Sequence, residues 1–162
     1  MRASPADAPA TPERALRRAL GRFATGVTLI TAPGGESLVV NAFMSVSLDP
    51  PLVAFAASGS SLTWRRMRRA PRLGINVLGT GVGDVRARAL PGADRLAGLD
   101  VRVDGDGVPR LADAVAFLLV APVDERTLGD HALVTCRMLE VGCDHERRPL
   151  VFYGGAFGSF AA

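Results

Sequence analysis

Apolar residues recur at helical spacing at Leu16, Ala19, Leu20 and Phe23, while Arg14, Arg17 and Arg18 fall on the other side of the same wheel. Thr11-Pro12-Glu13 just ahead supplies a capping hydroxyl and a first-turn proline, so an amphipathic helix is predicted to start there. From Thr25 the period drops to two. Val27, Leu29 and Thr31 alternate with Thr28 and Ile30, Pro33-Gly34-Gly35 marks a turn, and residues 37–46 return as a second strand. These two strands form a predicted hairpin. Asp49-Pro50-Pro51 interrupts the ladder, residues 52–57 read as a third strand, and Ser60 or Ser61 caps a helix that runs to Arg69 before Pro71. Residues 73–78 read as a fourth strand and 82–90 as a looser helix. A loop over 92–98 and a turn at Asp104-Gly105-Asp106-Gly107 come next. Strands are then predicted over 115–120, 133–141 and 150–153, the last ending in Gly154-Gly155-Ala156-Phe157.

Many strands, short turns and a few peripheral helices point to a mainly β fold built as a closed or nearly closed barrel, which removes exposed edges. The strands are rich in Val, Ala and Leu, more apolar surface than one barrel interior consumes, so a homodimer is expected. With 162 residues the chain is read as a single domain over 13–162. Residues 1–12, rich in Ala and Pro and without the apolar centre of a signal peptide, are read as a disordered tail on a cytoplasmic protein. The longest apolar run, residues 114–121, is far short of the ~18 residues that suggest a membrane span, and no membrane association is expected.

Charge refines this picture. The net charge is +3, and arginine carries the positive side, most densely at Arg65-Arg66-Met67-Arg68-Arg69. Such a run reads as a solvated helix face or as an attractor of a phosphorylated small molecule. Beyond Trp64 nothing beside it offers the stacking surface of a nucleic-acid binder, so no nucleic-acid partner is expected. Cys136 and Cys143 fall on one predicted strand at an odd separation, which turns them to opposite faces and argues against a disulfide between them. With only His131 and His145 to join them, zinc-type spacing is missing and no metal is expected.

Two stretches carry candidate chemistry. The strand ending in Ile75-Asn76-Val77-Leu78 runs into Gly79-Thr80-Gly81-Val82-Gly83-Asp84, with Asp100 at a plausible distance to meet a ribose. The third glycine is misplaced for a dinucleotide turn and the chain lacks alternating β-α units, so a loop is favoured. The other stretch runs from Asn41 to Thr63. Backbone amides of an interrupted strand can serve the polar edge of a flat ring, Val40 and Phe43 its apolar edge, and Ser45, Ser58, Ser61 and Thr63 a phosphate. Taken alone, the same hydroxyls read as helix caps.

The motifs also stand in a familiar order. RRALGRFATGVTLIT over 17–31, NAFMSVSLDPPLV over 41–53, Ser61-Leu62-Thr63, INVL over 75–78, Gly129-Asp130-His131 and PLVFYGGAF over 149–157 resemble the flavin reductase-like family. The resemblance covers essentially everything after the N-terminal tail. It implies an FMN-binding split barrel of Greek-key type, a dimer with flavin near the subunit interface. It implies an NAD(P)H:flavin oxidoreductase that uses NADH or NADPH to reduce FMN or FAD and supplies a separate oxygenase component. Val39, Val40, Asn41, Ala42, Phe43 and Ser45 would line the isoalloxazine ring. Ala57, Ser58, Ser60, Ser61 and Thr63 would contact ribityl and phosphate, with Asn76 supporting that side. His131 would lie close to the nicotinamide as the catalytic side chain, with Phe152 and Tyr153 nearby. Val39 and Ala42 stand where family members often carry hydroxyls, and Ser60, Leu62 and Gly154 where they are frequently basic, so the phosphate grip is either weak or shared with Arg65 and Arg66. Two other readings stay open: a flavin-binding protein or electron carrier without turnover, and a basic interaction module.

Overall fold

A computed structural model describes residues 11–90 and 92–160, so the tail expected at the N-terminus lies outside the described residues as far as residue 10. Its spine is the hairpin of β9 (Ala116–Leu128) and β10 (His131–Cys143), two 13-residue strands turned at Gly129-Asp130. Gly129 sits at φ 60°, a backbone conformation that a side chain resists. Around this hairpin gather β2 (Thr28–Thr31), β3 (Ser37–Val40), β4 (Phe43–Leu48), β5 (Pro51–Ser58) and β6 (Leu73–Val77). They make a seven-stranded sheet in the order β3-β2-β6-β9-β10-β5-β4, with every pairing antiparallel.

No ladder closes this sheet among the described residues, so the sheet is open where the sequence led to the expectation of a closed or nearly closed barrel. Its two edge strands, β3 and β4, are nevertheless consecutive in the chain. Asn41 and Ala42 alone link them, which forces the two ends of the sheet to approach each other. The single strand predicted over 37–46 is therefore two strands. Residues up to Val40 pair with β2, residues from Phe43 pair with β5, and Ala42 is held by the Ala56 amide donating to its carbonyl at 2.9 Å.

The interior of the sheet is filled by Ile30, Phe55, Leu73, Ile75, Val120 and Val134, closed on one side by α2 (Leu62–Met67). That helix buries Trp64 edge-on to Phe55, ring centroids 5.4 Å apart, together with Met67. Full burial of side chains of this size contributes about 1.5–3 kcal/mol each. A second cluster, with Leu29, Leu78, Val82 and Leu150, lies under α3 (Val85–Ala89). Smaller sheets complete the fold. β1 (Thr25–Gly26) pairs with β11 (Leu150–Tyr153), which pairs with β12 (Ala156–Ser159), and β7 (Val101–Val103) pairs with β8 (Pro109–Leu111).

One further expectation changes. The strands predicted over 115–120 and 133–141 are far longer, because the polar Asp124-Glu125-Arg126 stays in the ladder opposite β10. The glycine stretch after β6 is a short 3-10 turn, Thr80–Val82, and its neighbours are antiparallel strands, which removes the dinucleotide-turn reading. The predicted N-terminal helix is α1 (Pro12–Leu20), with the Thr11 hydroxyl accepting from the Arg14 amide, yet none of its residues is buried. Its stripe is open to solvent: Leu16 is 58% exposed, Leu20 64%, and Phe23 just beyond 75%. No described helix is long and apolar enough to cross a membrane.

Candidate functional site

Three segments distant in sequence meet at the C-terminal end of β5. On one side β4 runs antiparallel to it and places Phe43 opposite Phe55. On the other side β10 places Ala132 opposite Ala57 and His131 opposite Ser58. The Gly59 amide then donates to the Asp130 carbonyl at 2.8 Å, so the hydroxyl segment and the Gly129-Asp130-His131 turn are stitched together. The junction over residues 39–45, the segment 57–61 and the His131 turn thus share one end of one sheet.

A cleft of ≈ 710 Å³ opens here between α2 and the β9–β10 turn. Ser58 and Ser60 line it, their hydroxyls 2.9 Å apart, with Arg65, Arg68, Glu125 and His131 around them. Ser61 is spent differently: it caps α2, its Oγ accepting from the Trp64 amide at 3.1 Å, while Thr63 is buried beneath the helix. These two residues shape the helix start. Ser58 and Ser60 are the expected hydroxyls that line the cleft.

His131 is half-exposed, and its Nδ1 lies 2.7 Å from Asp130 Oδ1. That contact and the charge of His131 hold the Asp130 carboxyl below its ordinary range. With Nδ1 engaged, Nε2 is the ring nitrogen available to the cleft. At the other arm, Asn41, Ala42 and Ser45 are exposed, Phe43 is half-buried, and Val39 packs partly on the second core cluster. Val40 is buried, and its carbonyl accepts from Thr28 Oγ1 at 3.1 Å. Its side chain belongs to the core, so only the chain around it can face a ring.

Some expected site residues do not join this arrangement. Asn76 is fully buried, and its amide is consumed: Nδ2 donates to the Leu29 carbonyl at 3.1 Å and to Thr31 Oγ1 at 3.3 Å, and Oδ1 accepts from the Leu111 amide at 2.8 Å. It is a brace between β2, β6 and β8, with no polar atom left over for a cofactor. Phe152 and Tyr153 stand on β11, in the three-stranded sheet, and neither lines the cleft. Phe152 packs on Phe157 at 5.1 Å, and the Tyr153 hydroxyl accepts from Arg22 Nη1 at 3.2 Å. Arg66, expected to share the phosphate grip, is turned away and bidentate to Glu36 at 2.6 and 3.1 Å.

Arg68, Glu125 and Thr127 were not anticipated in the cleft. The available signal was the run of charge at Asp124-Glu125-Arg126 inside a Val- and Leu-rich stretch, which places ionised groups on a strand that a loop assignment discards. A larger cleft, ≈ 870 Å³, lies at the far end of the β9–β10 hairpin and contains none of the expected site residues. Of the expected site residues, Ser58, Ser60 and His131 line the smaller one. Two hydroxyls and an arginine at its rim fit a phosphate, and the open strand junction beside it fits a planar ring.

Known proteins resemble this chain over most of its length. Residues 20–161 match the family described as the flavin reductase like domain. A flavin reductase of Pseudomonas putida is 36% identical over 151 residues, 90% of this chain and 89% of that protein. The reductase component of a 4-nitrophenol 4-monooxygenase/4-nitrocatechol 2-monooxygenase from Rhodococcus opacus is 33% identical over 150 residues, 89% of this chain and 79% of that protein. Among solved structures, the NADH:FAD oxidoreductase SgcE6 of Streptomyces globisporus superposes with a TM-score of 0.83 at 31% identity, covering 98% of this chain and 100% of that one. With fold, motif order and these relatives in agreement over nearly the whole length, the chain belongs to the flavin reductase-like family.

Proposed function

We propose that this protein is an NADH-dependent flavin reductase that reduces FMN or FAD and passes the reduced flavin to a separate oxygenase component. The observation that carries the reading is the convergence of residues 39–45, Ser58-Gly59-Ser60 and Asp130-His131 at one end of β5. The flavin, when bound, supplies the redox chemistry, accepting a hydride at N5 from the nicotinamide. The chain's part is to hold two flat rings in register and to set the field around them. Asn41, Ala42 and Phe43 offer backbone and an aromatic edge to the ring, and Ser58, Ser60 and Arg65 receive the phosphate. His131, fixed through Nδ1 by Asp130, turns Nε2 toward the nicotinamide side and positions it.

The split-barrel dimer is part of this proposal. A second copy covers the open apolar surface of α1 and of β4, where Met44, Val46 and Leu48 are all exposed. It also supplies what a single chain leaves apart, since Phe152 and Tyr153 lie away from the cleft of their own chain.

The test is nicotinamide oxidation followed by absorbance, with NADH or NADPH, with and without added FMN or FAD. Oxidation of NADH that depends on added flavin is the expected result. Flavin that stays bound through gel filtration with no oxidation would replace the reading with a flavin carrier.

A further inference from the structure

In the cleft, a carboxylate is paired with one of two arginines that line it. Arg65 lies on α2 and Arg68, three residues later, is the αR residue that caps its C-terminal end, a spacing that puts both side chains on the same side. Both line the cleft. Their commitments differ. Among the described residues, Arg65 makes one long hydrogen bond, to the Gly59 carbonyl at 3.5 Å, so nearly its whole donor fork is open. Arg68 is 2.8 Å from Glu125 Oε1. Glu125 reaches it from β9, across the cleft, and is the more sheltered of the two, with its side chain 24% exposed against 49% for Arg68.

We infer that Glu125 is a built-in competitor for the phosphate ester that this cleft binds: it holds Arg68 until a phosphate displaces it, and so keeps the ligand's affinity low. The inference rests on the proposed reductase function and names what tunes its binding site. Displacement exchanges one charge-assisted pair for another, so Arg68 adds little net attraction, and the retained carboxylate repels the incoming dianion. Arg65 is the uncommitted cation and supplies most of the grip. For a protein that must release reduced flavin to another one, a weak phosphate grip suits turnover. Two phosphate esters share this chemistry, the flavin's own phosphate and the diphosphate of the nicotinamide dinucleotide.

The experiment compares the purified protein with Glu125→Gln, which keeps the shape and removes the charge. Dissociation constants are measured for FMN and for riboflavin, which lacks the phosphate, and for NADH and for reduced nicotinamide riboside. Glu125→Gln is expected to tighten FMN about tenfold and leave riboflavin unmoved, as one freed charge-assisted contact implies. If the dinucleotide diphosphate is the occupant, NADH tightens instead while reduced nicotinamide riboside does not, and the competitor role stands. Arg68→Met in the Glu125→Gln background should return the affinity to that of the parent. Equal tightening of FMN and riboflavin, or no change in any ligand, overturns the inference. If neither protein binds FMN or riboflavin at all, the reductase reading falls with it, an outcome distinct from unchanged FMN binding.

Discussion

Cys136 and Cys143 share one strand and meet opposite environments. Cys136 is fully buried, and burial pushes its thiol up to about 12, whereas Cys143 is exposed with its Sγ 3.3 Å from His145 Nε2. The thiolate is the reactive form, so only Cys143 should react with a thiol reagent in the native protein, and Cys136 only after unfolding. A titration that finds two fast native thiols would contradict the placement of β10. His131 carries a different prediction. Its partner Asp130 has a folded-state value depressed below the ordinary 3.8, so the contribution of the Asp130 carboxylate is present above that ordinary value and is lost as pH falls through the lower one. His131→Ala should slow the hydride step by ~10²-fold through loss of nicotinamide positioning, with flavin affinity retained. Single-turnover nicotinamide oxidation beside a flavin titration separates the two, and unchanged turnover removes the role.

At the scale of elements, sequence patterns found what is local and missed what depends on a distant partner. The Thr11-Pro12 start of α1, the Ser61 cap of α2 and the turn at Pro33-Gly34-Gly35 are written in neighbouring residues, and all form where expected. The break at Asn41-Ala42 is not local. It arises because the chain leaves the ladder with β2 for a ladder with β5, a choice that strand propensity cannot express. Asn76 was misread for a related reason, since a polar residue in an apolar strand signals a ligand or a brace equally well until its partners are known. Here the partners are Leu29, Thr31 and Leu111. Asn76→Ala should therefore cost roughly 2–4 kcal/mol, chiefly by stranding the buried Leu111 amide and Leu29 carbonyl. Denaturant unfolding midpoints measure the loss. Flavin affinity of the still-folded variant should stay close to that of the parent, and a large affinity loss at unchanged stability would return Asn76 to the binding site.

For the whole molecule, the legible part was the class of fold and the illegible part was how its surfaces are used. The surplus of apolar residues is visible in the sequence, and the fold turns it into two open faces. One is the α1 stripe of Leu16, Leu20 and Phe23; the other is the outer side of the edge strand β4 at Met44, Val46 and Leu48. An edge strand with apolar side chains invites pairing, and β4 also carries Phe43 and Ser45 of the candidate flavin site, so the same association that covers it can complete the site. The protein should run in light scattering at twice its chain mass. Met44→Glu places a charge on the β4 face and should weaken association by roughly 2–5 kcal/mol, the cost of an uncompensated buried charge, giving monomer at micromolar concentration. If the second copy completes the site, this monomer loses flavin binding as well. Leu20→Glu makes the same test of α1. A variant that becomes monomeric and keeps full flavin affinity would place the entire site within one chain, and a monomeric parent protein with full turnover would dispense with the dimer altogether.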